Sequence, residues 1–213
     1  MAFSSISQAI LDGDVDLVLS DVKSLLAEGV SPLTILDDHV VVAMNEAGKR
    51  FEDGEFFVPD LMLAARAVQD TMKLIDPLLK NMGREKTGRV VIGTVRGDHH
   101  DIGKNLVAVM LEGGGFEVLD LGVNVSPEKF IAAAKEKQGT IVALSALLTT
   151  TMHEMKNVIE LLKESGIRDD VKVIVGGAPV TDEFAQGIGA DGYSDNASAA
   201  VTLARKIINK NAG

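Results

Sequence analysis

Residues 89–103 read RVVIGTVRGDHHDIG: a run of β-branched and apolar types, then a loop in which two histidines stand between two aspartates and are bounded by glycines. The first half suits a strand buried on both faces, because Val and Ile pack well on a pleated surface. The next phrase, GKNLVAVMLEGG (103–114), changes to helical spacing of its apolar residues. Strand, polar loop and helix in that order form one half of a parallel crossover unit.

Downstream the alternation repeats. FEVLDLG (116–122), TIVALSA (140–146), VKVIVGG (171–177) and a weaker run around ADGYS (190–194) read as strands. Between and after them PEKFIAAAKEK, MHEMKNVIELLKESG, TDEFAQGIG and NASAAVTLARKIINK read as helices. Strands separated by helices of this length require right-handed crossovers and a parallel sheet covered on both faces. Five repeats predict an α/β domain with a flavodoxin-like, Rossmann-like five-stranded parallel sheet over residues 89–213.

Upstream, up to Gly83, the pattern is helical throughout. DLVLSDVKSLLAEGV (16–30) and PDLMLAARAVQDTMKLIDPLLK (59–80) carry one apolar stripe each, broken at DGD, at 29–32 and at FEDGEFFVP. Asp14 is placed to cap one helix, Ser31 with Pro32 to start another, and Pro59 with Asp60 a third. Three long helices and a short leading one predict an N-terminal four-helix bundle cap over residues 1–83. The polar, glycine-containing stretch NMGREKTGR (81–89) places a linker at 84–88.

Composition narrows the chemistry. The 213 residues are 46% hydrophobic, and no apolar run approaches the roughly 18–20 residues that span a bilayer. The opening MAFSSISQAILDGD does not read as a secretory signal, so a cytoplasmic chain is expected. Without cysteine there is no disulfide, thiolate metal site, iron–sulfur cluster or thiol nucleophile. A net charge of −10 with no basic stripe argues against a nucleic-acid partner. No G-x-S-x-G turn exposes a serine, no G-x-G-x-x-G follows the first strand, and Gly113-Gly114-Gly115 reads as a helix C-cap.

The polar residues left over gather where open parallel sheets bind ligands, at the carboxyl ends of strands. RGDHHDIG follows the first strand, SALLTTT the third, GGAP the fourth. Taken alone, the loop from Gly97 to Gly103 allows a solvated pair of histidines, or an imidazole metal ligand whose tautomer a neighbouring carboxylate fixes. A structural zinc site needs four ligands, and only His39 and His153 remain elsewhere.

Asp98-His99-His100-Asp101-Ile102-Gly103 resembles the D-x-H-x-x-G signature of cobalamin-binding proteins. Ser145-Ala146-Leu147 resembles that family's S-x-L and Gly176-Gly177 its GG, in the same order and on the expected loops. MNEAGKRFEDGEFFVPDLMLAARAV (44–68) is similar to the helical cap of methionine synthase's cobalamin module and of stand-alone corrinoid proteins that serve methyltransferases. The similarity runs roughly from Leu33 to Ile208.

That resemblance implies a bound cobalamin or related corrinoid, carried as methylcobalamin, with His100 ligating the cobalt in place of the cofactor's own base. It implies that Asp98 accepts from the other imidazole nitrogen and that Thr151 continues the relay, where methionine synthase has serine. The rest of the loop, Gly97, His99, Asp101, Ile102 and Gly103, is implied to contact the cofactor. Ser145, Leu147 and Thr149 would line a channel for the nucleotide tail, Gly176, Gly177 and Ala178 would let it approach the backbone, and Ala197 would pack nearby. Phe51, Phe57, Val58 and Leu61 match cap positions that shield the methyl-bearing face. Read from the residues alone, the phenylalanines are also ordinary bundle core, the paired glycines a turn, and Met62, Met72 and Met152 gap-filling core or surface.

The implied function is a methyl carrier of anaerobic one-carbon metabolism. It takes a methyl group on Co(I) from a donor-specific methyltransferase and gives it up from methyl-Co(III) to a second methyltransferase serving tetrahydrofolate or coenzyme M. A reductive activase is a further implied partner. The cap would have to swing aside for each partner, and the linker is the expected hinge. A cobalamin-dependent sensor or storage module and a mutase subunit are the alternatives.

Overall fold

A computed structural model describes residues 4–82, 87–136 and 140–211. The chain divides into two compact units, residues 1–86 with 112–115, and residues 87–111 with 116–213. Residues 84–86 of the expected 84–88 linker lie outside the described residues.

The first unit is helical: α1 (Ser5–Asp12), α2 (Val15–Ala27), α3 (Pro32–Ile35), α4 (Val41–Glu52) and α5 (Val58–Asn81). A π-helical turn, Leu36–Val40, joins α3 to α4 without a break, so these three segments form one rod and the bundle has four. Its starts are set by side chains that accept otherwise orphaned N–H groups. Ser4 Oγ accepts from Ser7 N, Asp14 Oδ1 from Leu17 N at 3.0 Å, and Ser31 Oγ from Leu33 N ahead of Pro32. Asp60 reaches back to accept Phe57 N–H at 2.8 Å, and α5 therefore begins at Val58, one residue ahead of Pro59. Ile10, Val22, Ile35, Met44, Leu61 and Ile75 fill the centre of this unit.

The second unit is a five-stranded parallel sheet with β1 (Arg89–Thr94), β2 (Glu117–Asp120), β3 (Thr140–Ser145), β4 (Lys172–Gly176) and β5 (Gly192–Ser194). Their order is β2-β1-β3-β4-β5, so the winding reverses between β1 and β3. The helices are α6 (Ile102–Gly113), α7 (Pro127–Lys135), α8 (Glu154–Glu164), α9 (Asp182–Ile188) and α10 (Ala197–Asn211). The strand register fixes where the loops emerge. Thr94 pairs with Ser145, Ser145 with Gly176, and Gly176 with Ser194, which puts the loops after β1, β3, β4 and β5 on one level edge. These are the four-helix bundle and the flavodoxin-like sheet expected from the periodicities.

Two local features explain how the sheet closes. Phe130 of α7 is fully buried against β1, and a Cβ on Gly93 would come within 2.8 Å of its ring. Gly115, at φ +88°, ends α6: its N–H donates to Glu112 O and that of Phe116 to Leu111 O, so the glycine run is the C-cap the sequence suggests. Among the described residues no helix is long and apolar enough to cross a membrane.

Candidate metal centre

The loop after β1 turns sharply because Gly97 takes a left-handed conformation, φ +80°. The turn carries Asp98 inward: its carboxylate is fully buried, whereas His100 remains 51% exposed. Asp98 collects five donors. Oδ1 accepts from His100 N at 3.1 Å and lies 2.7 Å from His100 Nδ1. Oδ2 accepts from Leu147 N at 2.8 Å, Leu148 N at 3.3 Å and Thr151 Oγ1 at 2.7 Å.

Burial by itself would raise the pKa of this carboxyl. The hydrogen bonds from Thr151, His100 and the backbone N–H groups outweigh it and hold Asp98 well below the usual carboxylate range. An ionised carboxylate only accepts, so the Nδ1 of His100 must carry the proton that lies between them. The lone pair is thereby confined to Nε2, which has no hydrogen-bond partner among the described residues. A neutral imidazole oriented by a buried carboxylate is the usual form of a histidine metal ligand.

Apolar side chains left exposed on the same segments suit a partly apolar ligand. Ile102 is 67% exposed, Leu147 43% and Leu148 41%, and all three belong to the segments that hold Asp98 and His100. Solvated apolar side chains of this size gain from being covered. Gly103, at the first turn of α6, has no atom within 4 Å of where a Cβ would stand, leaving open space beside the loop.

Other residues singled out from the sequence fall around this centre in different ways. Ser145 is half-buried at the end of β3, Thr149 and Ala178 are exposed on the same edge, and Ala197 is buried at the start of α10. His99 is exposed, and Asp101 accepts Asn105 N–H at 2.7 Å through its carbonyl, as part of the α6 start. Gly176 and Gly177 have a reason within the protein itself. A Cβ on Gly176 would lie 2.9 Å from Ser194 O, and one on Gly177, at φ +128°, only 1.9 Å from Ala146 O. Phe51, Phe57, Val58 and Leu61 belong to the first unit, where Leu61 is core and Phe57, at 67% exposure, is not. His153 is exposed at the start of α8, its ring edge-on to Phe184, and among the described residues no three His, Asp or Glu side chains converge on a metal position.

Several contributors escaped the sequence reading. Thr94, completely buried, donates its hydroxyl to His100 O at 2.8 Å. Asn124 accepts Gly97 N–H and donates its own N–H to Asp98 O. Lys104, 2% exposed, pairs with Asp120 and donates to Asn105 Oδ1. For Asn124 a signal existed, since Gly122-Val123-Asn124 places turn residues just after a strand. For Thr94 none did: a threonine in a strand is unremarked.

Thr151 can be tested directly. Thr151→Ala deletes a buried donor to a charged acceptor and is expected to cost about 1.5–3 kcal/mol of unfolding free energy. Thr151→Ser should recover most of it, because the hydroxyl is kept. Urea unfolding of both variants measures the difference; an alanine variant as stable as the serine one means the hydroxyl contributes nothing.

The family described as "B12 binding domain" matches residues 88–202, and a second family of the same description matches residues 2–75. The dimethylamine corrinoid protein of Methanosarcina barkeri is 44% identical over 204 residues, covering 95% of each chain. A cobalamin-binding protein from Desulfitobacterium hafniense DCB-2, known from its crystal structure, superposes with a TM-score of 0.80 at 34% identity, over 97% of this chain and 98% of that one. A chain of the methanol:cobalamin methyltransferase complex from Methanosarcina barkeri superposes with a TM-score of 0.83 at 31% identity, over 96% of this chain and 78% of that one. A buried aspartate fixing an exposed imidazole on the switch edge of a parallel sheet thus occurs in a chain that belongs to the B12-binding corrinoid proteins.

Proposed function

We propose that this chain is a methyl-carrying corrinoid protein, with His100 as its cobalt ligand. The observation that carries this reading is the 2.7 Å contact between His100 Nδ1 and the fully buried Asp98, which leaves Nε2 as the only free lone pair on the ring. When bound, the corrinoid supplies a cobalt that takes a methyl group from one substrate and passes it to another.

The residues of the chain then have separable tasks. Asp98 stays ionised, keeps the Nδ1 proton in place and so presents Nε2 to the metal. Thr151 donates to the other carboxylate oxygen and stops Asp98 from rotating away. Ile102 and Leu148 offer exposed apolar surface on the segments that hold the site; Ser145, Leu147 and Thr149 are assigned to the channel of the nucleotide tail, Gly176, Gly177 and Ala178 to its approach to the backbone, and the buried Ala197 to packing nearby. Phe51, Phe57 and Val58 of the helical unit, residues 1–83, are proposed to shield the methyl group, with Leu61, 1% exposed, acting only from within that unit's core.

A carrier needs a source and a sink. The named activities of the relatives, on dimethylamine and on methanol, support a donor-specific methyltransferase as one partner of this chain. A second methyltransferase delivering to tetrahydrofolate or coenzyme M, and a reductive activase, complete the proposed set. His100→Gly tests the centre. The purified protein loaded with hydroxocobalamin should change its visible spectrum, because water or the cofactor's own base replaces imidazole. A spectrum identical to the parent's rules His100 out as the ligand.

A further inference from the structure

After β2 the chain does not leave the sheet at once. Leu121 N donates to Ile92 O at 2.8 Å, Thr94 N to Gly122 O at 3.0 Å and Val125 N to Thr94 O at 2.9 Å, so residues 121–125 run on along the end of β1. Val95 and Val125 form one more parallel bridge. This delivers Asn124 to the loop that holds Asp98. Asn124 is the one non-glycine residue with positive φ among the described residues, at +52°. A side chain there is disfavoured unless it contributes something, and glycine would be the default.

What it contributes is a second bond. Asn124 Oδ1 accepts Gly97 N–H at 2.8 Å, and Asn124 N donates to Asp98 O at 2.9 Å. The two bonds bracket the Gly97–Asp98 backbone from one residue. Thr94 Oγ1 holds the carbonyl of His100 from the strand below. The side chain of Asp98 is fixed by His100, Leu147, Leu148 and Thr151; the main chain that aims it is held by Val95 O, which accepts Asp98 N–H at 3.1 Å, and by Asn124, the one side chain among the described residues that binds it.

We propose that Asn124 is a positioning residue: its side chain clamps the Gly97–Asp98 backbone and thereby sets the direction of the His100 imidazole. The proposal rests on the reading of His100 as the cobalt ligand, and no part of the cofactor need touch Asn124. Glycine at this position keeps the left-handed backbone and the bond to Asp98 O but removes the acceptor for Gly97 N–H. Aspartate keeps an acceptor and tolerates the same conformation.

Asn124→Gly and Asn124→Asp are therefore compared with the parent in the full chain, with two readouts. In the cofactor-free, isotope-labelled protein, amide exchange at Gly97 should be about three- to ten-fold faster in the glycine variant and parent-like in the aspartate variant, the range expected for one hydrogen bond. In protein loaded with hydroxocobalamin, the ratio of histidine-ligated to unligated spectrum should fall by a similar factor in the glycine variant and recover in the aspartate one. The thermal midpoint should not move with either readout. A glycine variant matching the parent in ligation overturns the positioning role, even where Gly97 exchange is faster, and so does an aspartate variant that fails to restore ligation. If His100→Gly leaves the spectrum unchanged, the ligand assignment fails separately, and Gly97 exchange still decides whether the clamp exists.

Discussion

Gly177→Ala is expected to lower unfolding free energy by about 3–5 kcal/mol and to loosen the metal centre in whatever fraction folds. Two costs combine. At φ +128° an L-side chain is strained by about 1–2 kcal/mol, and the new Cβ would stand 1.9 Å from Ala146 O and 2.9 Å from Ala146 C. Overpacking of this kind costs about 1–3 kcal/mol when neighbours can yield. Here the neighbour is backbone at the end of β3, tied to β4 by Ala146 N donating to Gly176 O, so it yields poorly.

The peptide group under pressure is also the one that serves the site. Ala146 C=O and Leu147 N–H belong to a single planar unit, and Leu147 N donates to Asp98 Oδ2 at 2.8 Å. Displacing the carbonyl must tilt the N–H away from the carboxylate. Thermal or urea unfolding gives the stability loss, and amide exchange at Leu147 in the cofactor-free protein gives the local effect. A variant as stable as the parent, with Leu147 equally protected, would mean that the β4 turn can move without disturbing β3.

Asp98→Asn is expected to cost about 3 kcal/mol or more at neutral pH, although it changes almost no volume. The carboxylate meets five donors, and an amide must turn its NH2 toward some of them while losing the charge that strengthens the others. The pH dependence carries the clearest mark. Because the folded-state pKa of Asp98 is depressed, its stabilisation is complete above the unfolded value of about 3.9 and is lost as pH falls toward the folded one. The gap between parent and Asp98→Asn should thus be flat from about pH 5 to 8 and narrower by roughly 1 kcal/mol at pH 3. A gap unchanged at pH 3 would contradict an ionised, strongly hydrogen-bonded Asp98.

These two sites also show where sequence reading reaches its limit. The strands of the second unit announced themselves through β-branched runs, the helices through apolar spacing, and the helix starts through Asp14 and Ser31, all of them local properties of a few adjacent residues. The observed order β2-β1-β3-β4-β5 agrees with the flavodoxin-like class read from five strand–helix repeats, and the location of the site at the carboxyl ends of the strands was legible too. Asp98 and His100, two residues apart, form a pair that the loop's own sequence makes suspect.

Long-range contacts were not legible. Thr151 reaches Asp98 across 53 positions, a contact that the family resemblance implied but no local pattern did, and Leu147 N reaches it across 49 with no signal in the sequence at all. Gly177 looked like a residue spared for a ligand, whereas the structure adds a carbonyl of the neighbouring strand as a reason for it. Asn124 became part of the centre only because residues 121–125 follow β1 beyond its end, and Thr94 because the loop after β1 folds back over that strand's last residue. Composition and periodicity by themselves determined the two kinds of domain and the sheet edge, and the loop's residues offered an imidazole beside a carboxylate, which only the family resemblance singled out as His100 with Asp98. Tertiary structure alone decided which backbone groups surround that carboxylate and where glycine is compulsory, because hydrogen-bond geometry and steric exclusion act between segments that only the folded register brings within about 3 Å of each other.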